Sequence, residues 1–125
     1  VVKYEEQLDR VFRAMADRTR RAMVEHLVAG PASVSQLADP HEMSMPAVVQ
    51  HLKVLEEAGI VSSEKVGRVR TFQLAPDALA VASAWLGRQR LAAEQRLDRL
   101  GALLDHDVVT DSGTDSEESR HEHDD

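Results

Sequence analysis

Residues 44–74, S-M-P-A-V-V-Q-H-L-K-V-L-E-E-A-G-I-V-S-S-E-K-V-G-R-V-R-T-F-Q-L, decide the fold. Val48, Leu52 and Leu55 recur at i, i+4 and i+7, which gives a helix one apolar face for docking. Met45, Val49, Gln50 and Lys53 fall on the opposite side, where a merely solvated helix would carry more charge. Ser44 stands at the N-cap, Pro46 is tolerated in the first turn, and Gly59 after Ala58 suits the left-handed closing position. The β-branched run that follows predicts a hairpin: 60–64, a Val66-Gly67-Arg68 turn, then 69–74, with Lys65, Arg68 and Arg70 brought to one tip. A docked helix with a bare outer face, followed by a basic hairpin, is the layout of a helix–turn–helix that enters a DNA groove.

Upstream, a first helix over about 4–16 carries Leu8, Val11, Phe12 and Met15 on one face. Asp17 can N-cap a second helix, which carries Ala22, Met23, Leu27 and Val28 and stops at Gly30-Pro31. Ser33 and Gln36 have capping-box spacing, so a short third helix is predicted over 34–39, ended by Pro40. Downstream, Pro76 and Asp77 start a long fifth helix that runs to about Leu104, with Gly87 loosening its middle. Ala93, Leu97, Leu100 and Leu104 step by about 4, 3 and 4, a heptad-like seam. No internal repeat is present. Residues 1–107 are expected to form one mainly α domain with a small β-hairpin, and 108–125 a disordered acidic tail that cannot bury enough apolar surface to order itself.

The 125 residues suffice for one domain with a real core. A net charge of −7 opposes DNA binding until it is divided along the chain. From Asp105 onward there are nine acidic residues and one arginine, a net of −8, whereas residues 1–104 hold 14 basic and 13 acidic side chains, a net of +1. Phosphate affinity must therefore come from local clusters of cations. The absence of cysteine removes disulfides, thiolate metal sites and cysteine nucleophiles together. Four aromatic residues are too few for a base-stacking platform. Neither a long apolar run nor a leader pattern is present, so the expectation is a cytoplasmic protein with no membrane contact. Nucleophile-elbow, P-loop, H-E-x-x-H and Rossmann patterns are all missing, and the reading is not an enzyme.

A-M-A-D-R-T-R-R at 14–21, V-S-Q-L-A at 34–38, S-M-P-A-V-V-Q-H-L-K-V-L-E-E-A-G-I-V at 44–61 and G-R-V-R-T-F-Q-L at 67–74 together resemble the ArsR/SmtB-type family of small winged-helix repressors. The resemblance spans roughly residues 8–104. It implies a winged helix–turn–helix that dimerises through its first and last helices and sets the fourth helix of each subunit into a major groove. The family's cysteine sites have no counterpart here, and residues 77–104 contain no histidine for the family's other metal sites, so no metal or other cofactor is expected. Glu42 stands at a turn position that is often glycine in relatives.

On this reading Gln50 pairs with an adenine edge, while Val49 or Met45 packs on a thymine methyl beside Pro46. Lys53 and the Ser44 hydroxyl suit phosphates. His51 either contacts DNA or holds the helix against its neighbours. Lys65, Arg68 and Arg70 reach phosphates or the minor groove, or else form a charged edge that blocks strand pairing. Arg20, crowded with Arg18 and Arg21 against a helix N-terminus that disfavours cations, points to an anionic partner. Leu8, Val11, Phe12, Trp85, Leu86, Leu97, Leu100 and Leu104 are expected at a dimer interface, the alternative being packing within one subunit. His106, His121 and His123 lie among carboxylates that could gather a metal only loosely. The functional expectation is a homodimeric, sequence-specific regulator, a repressor on a palindromic operator in double-stranded DNA, answering to an unidentified effector. Two alternatives stay open: a metal- or small-molecule sensor working through the tail, and a non-specific architectural DNA-binding protein.

Overall fold

A computed structural model describes residues 2–111, with side chains placed for 3–105. The element order is α1 (Val2–Met15), α2 (Arg18–Ala29), β1 (Ala32–Ser33), α3 (Val34–Ala38), α4 (Met45–Glu57), β2 (Val61–Val66), β3 (Val69–Leu74) and α5 (Pro76–Asp111). Two compact units divide the chain, one up to Trp85 and one from Leu86 onward. No helix among the described residues is long and apolar enough to cross a membrane.

Local chemistry places the starts of α2, α3 and α4 and the close of α4 where the sequence predicts them. The Asp17 carboxylate accepts from the Arg20 backbone N–H at 3.0 Å and opens α2. At α3 the Ser33 hydroxyl accepts from the Gln36 N–H while the Gln36 side chain accepts from the Ser33 N–H, so both halves of the capping box form. Ser44 opens α4 by accepting from the Ala47 N–H. At the far end, the Gly59 N–H donates to the Glu56 carbonyl and the Ile60 N–H to the Leu55 carbonyl, each at 3.0 Å, with Gly59 at φ +78°. That pair of bonds is a Schellman closure, and it hands the chain directly into β2. Among the described residues no side-chain-bearing position has a positive φ, so the turn through Glu42 needs no left-handed residue.

The core of the first unit is built from Val11, Met23, Leu37, Val48, Leu52, Leu55 and Ile60, all of which are essentially sealed from solvent. The three predicted docking residues of α4 are thus buried. Two other faces differ from expectation. On α1, Leu8 and Val11, expected at a dimer interface, are 7% and 2% exposed and belong with Ala14 to the intrachain core, while α1 packs on α2 and α4. On α2, Val28 is 71% exposed and Val24 takes its place at 6%. The azimuth of α2 is set by β3 and α4, against which it packs, and periodicity alone does not reveal that choice.

The hairpin is part of a three-stranded antiparallel sheet in the order β1-β3-β2. Its second strand spans 69–74 as predicted, but β2 runs on to Val66 and the turn is shorter: Val66 pairs with Val69, leaving Gly67-Arg68 as a two-residue loop. Gly67 has φ +63° and Arg68 does not share the positive φ, the sign pattern of a type II′ turn, which matches the twist of the flanking strands. β1 was not predicted; Ala32 pairs with Phe72 and Ser33 with Thr71. α5 continues to Asp111, past the expected end near Leu104 and past the proposed boundary between 107 and 108. The remainder of the expected tail, with His121 and His123, lies outside the described residues, as does the side chain of His106.

An alanine Cβ at position 59 would meet the Ala78 Cβ at 3.6 Å, an ordinary contact, so Gly59→Ala isolates backbone strain. We expect it to lower stability by about 1–2 kcal/mol, the cost of a left-handed L-residue, read as a lower urea midpoint at unchanged slope.

Candidate nucleic-acid interface

With Val48, Leu52 and Leu55 turned inward, α4 leaves Ser44, Met45, Pro46, Val49, Gln50 and Lys53 exposed along one continuous face. Met45 is 47% and Val49 52% exposed, although both are large and apolar. Between these apolar groups stand an amide and an ammonium, a mixture suited to methyl groups, base edges and phosphates at once. The Ser44 oxygen is occupied as an acceptor by the cap, yet its hydroxyl proton remains available to donate.

The wing is tied to this helix. Lys65 and Arg70 face each other across the hairpin on the side that carries Phe72, the buried anchor of the sheet. Arg70 donates from Nη1 to the Ser63 hydroxyl at 2.8 Å, and Ser63 donates to the Glu56 Oε2 on α4 at 2.7 Å. The Ser63–Glu56 bond therefore ties the base of the wing to the last turn of α4, and the Arg70–Ser63 bond extends that link across the hairpin. Arg68 is exposed in the turn itself. Ser63 and Glu56 were not singled out from sequence; a serine on a strand and a glutamate on a helix surface carry no signal until register brings them together.

Arg20 has a different setting from the one its sequence neighbours suggest. It is half-buried, with Nε donating to the Ala14 carbonyl at 2.7 Å and Nη2 to the Arg13 carbonyl at 3.1 Å. Arg21 likewise donates to the Met15 carbonyl at 2.7 Å. These carbonyls belong to the last turn of α1, the negative end of its dipole, and the Arg13 oxygen also accepts the Ala16 N–H at 3.2 Å, so two of the cations that crowd the start of α2 cap the end of α1. The third arm of Arg20, Nη1, lies 3.1 Å from His51 Nδ1. Asp17 Oδ2 sits 3.9 Å from the same nitrogen, an ion pair only if the imidazole is protonated. The Arg20 backbone N–H is the largest influence on the Asp17 carboxyl and, against the opposing effect of burial and with help from the Arg20 charge, holds it below the usual aspartate range.

Of the residues expected at a dimer surface, Phe12 and Trp85 meet edge to face with ring centroids 5.9 Å apart, and Phe12 remains 39% exposed. With Glu5, Leu8 and Asp9 they line a recess of about 350 Å³. Leu86, Leu97, Leu100 and Leu104 of α5 are each more than half exposed.

The profile of a helix-turn-helix domain family matches residues 15–64. The HTH-type transcriptional regulator Rv2034 of Mycobacterium tuberculosis is 48% identical over 80 residues, which cover 64% of this chain and 75% of that protein. A crystal structure of an ArsR family transcriptional regulator superposes with a TM-score of 0.69 at 41% identity, covering 72% of this chain and 93% of that one. The chain belongs to the ArsR/SmtB-type family. The transcriptional repressor SdpR of Bacillus subtilis is 27% identical over 79 residues, 63% of this chain and 88% of that protein. As a member of the family the chain is a DNA-binding transcriptional regulator with a winged helix–turn–helix, and its chemistry is recognition, not catalysis.

Because the Asp17 pKa is lowered on folding, its contribution to stability is complete above the unfolded value of about 4 and is lost as pH falls through the lower folded value. Asp17→Ala should cost about 1 kcal/mol at pH 7 through loss of the cap, and the deficit relative to the parent should shrink below about pH 4 in urea unfolding.

Proposed function

We propose that the chain acts as a homodimeric, cytoplasmic repressor that sets α4 of each protomer into successive major grooves of a palindromic operator, with the wings alongside. The observation that carries this reading is the bare face of α4: exposed Met45, Val49, Gln50 and Lys53 backed by a fully buried Val48–Leu52–Leu55 side. Gln50 is assigned to an adenine edge, Met45 and Val49 with Pro46 to thymine methyl groups, and Ser44, Lys53, Lys65, Arg68 and Arg70 to phosphates or the minor groove. The dimer is proposed to form through the recess at Phe12 and Trp85 and through the exposed leucines of α5, Leu86, Leu97, Leu100 and Leu104. Residues 1–107 would serve DNA binding and dimerisation, with 108–125 as an acidic appendage. An effector would release the operator by changing the spacing of the two reading helices, roughly 34–36 Å in register with one DNA turn.

Nuclease protection should reveal a footprint with dyad symmetry, and Gln50→Ala should cost about 1–3 kcal/mol of discrimination at one base pair per half-site. Arg68→Ala should weaken all sequences alike and reduce the slope of log K against log salt by about one. A protected region without a dyad, or unaltered binding by both variants, would refute the assignment. For the dimer, Leu97→Glu with Leu100→Glu should sediment as a monomer and bind a full site no better than a half-site.

A further inference from the structure

We propose that Arg20 and His51 are positioning residues that fix the rotation of the reading helix, and that neither grips phosphate. The inference rests on the DNA reading above and assigns a role within it. The Arg20 guanidinium is a rigid planar fork, and here three of its arms are engaged at once. Two of them hold the Ala14 and Arg13 carbonyls at the end of α1, and the third holds Nδ1 of His51 on α4. Arg20 itself leaves from the first turn of α2, so one side chain joins three helices.

The chemistry also fixes the imidazole. A guanidinium has no acceptor and does not deprotonate, so His51 Nδ1 must be the accepting nitrogen and the ring proton must lie on Nε2. Asp17 does not compete for that nitrogen: at 3.9 Å it is beyond hydrogen-bond reach, and its carboxylate already receives the Arg20 N–H. His51 follows Gln50 directly and sits at the margin of the bare face, half-buried, where Val48 and Leu52 dock. An apolar docking face resists separation strongly but rotation about the helix axis weakly, since dispersion contacts are not directional. A directed hydrogen bond at the margin of that face opposes rotation, and rotation is what decides whether Gln50 meets its base edge squarely.

Asparagine and glutamine separate this role from phosphate contact. The Asn amide oxygen falls near the place of the imidazole Nδ1 and can accept from Arg20, whereas the Gln amide nitrogen falls near Nε2 and can donate outward. The experiment uses the full chain and two duplexes: one selected by that chain from a random-sequence pool, and one of random sequence and equal length. His51→Ala and His51→Gln should each lower the ratio of selected to random affinity by about tenfold, the worth of a hydrogen bond to a charged group, without altering the salt slope. His51→Asn should stay within about twofold of the parent ratio, and its advantage over Gln should vanish in an Arg20→Ala background. Without DNA, nitrogen-15 chemical shifts should report the Nε2–H tautomer in the parent and a mixture in Arg20→Ala. Glutamine rescuing where asparagine fails, a salt slope reduced by about one, or no effect of His51→Ala would each overturn the proposal. A parent chain that does not distinguish the two duplexes would instead sink the DNA reading, and this inference with it.

Discussion

The burial of one side of α4 is the constraint from which the remaining features follow. Val48, Leu52 and Leu55 are sealed in the core, each worth roughly 1.5–3 kcal/mol of apolar burial, and together they clamp the helix without using any of its outer side chains. That separation lets the other face carry Met45 and Val49 in solvent next to Gln50 and Lys53, a composition chosen for no packing purpose. The clamp continues through the end of the helix. Ile60 and Val61, buried just beyond the Schellman closure, anchor the first residues of the wing in the same core, and the Glu56–Ser63–Arg70 chain then sets its lean. Helix and wing are therefore one object from a mechanical standpoint.

A chain of net charge −7 can approach a polyanion only through local cations. The folded portion is near neutral, so what matters is which cations are already engaged. Arg20 and Arg21 are occupied by the end of α1, and Arg70 shares its charge with Ser63 and, through it, Glu56. Lys53, Lys65 and Arg68 carry no such internal partner among the described residues, and all three are exposed on α4 or the wing. A small set of uncommitted cations close to the reading face favours register over bulk attraction, because each neutralised phosphate contributes to affinity on any sequence while the base contacts contribute on one.

Features that depend on a few neighbouring residues were legible in the sequence: the Asp17 cap, the Ser33–Gln36 box, Ser44, the glycine closure at 59 and the hairpin glycine at 67 all form as their local chemistry requires. What depends on a partner distant in the chain was not. β1 is two residues long and exists because β3 presents an open edge to Ala32 and Ser33. Val24 replaces Val28 in the core because the neighbours of α2, not its own period, choose its buried stripe. The carbonyls that Arg20 caps belong to α1, a helix that its own sequence neighbours do not reveal. His51, left between two roles, is placed by a bond spanning 31 residues of sequence.

The proposed second copy has a physical logic that one reading helix cannot supply. A single α4 offers a handful of base contacts, each worth about 1–3 kcal/mol of discrimination, and the Coulombic term favours every sequence equally. Two helices held at a fixed separation make the discriminations add in free energy, so the preference for a correct site multiplies. The leucines at 97, 100 and 104 recur at i, i+3 and i+7 and lie exposed, an arrangement that is unfavourable in water and becomes favourable only when a matching surface covers it. In the proposed dimer an identical stripe would cover them, and the two-fold symmetry of that contact would then extend to whatever the reading helices touch, so that dyad symmetry in the DNA would follow from how the apolar surface is satisfied.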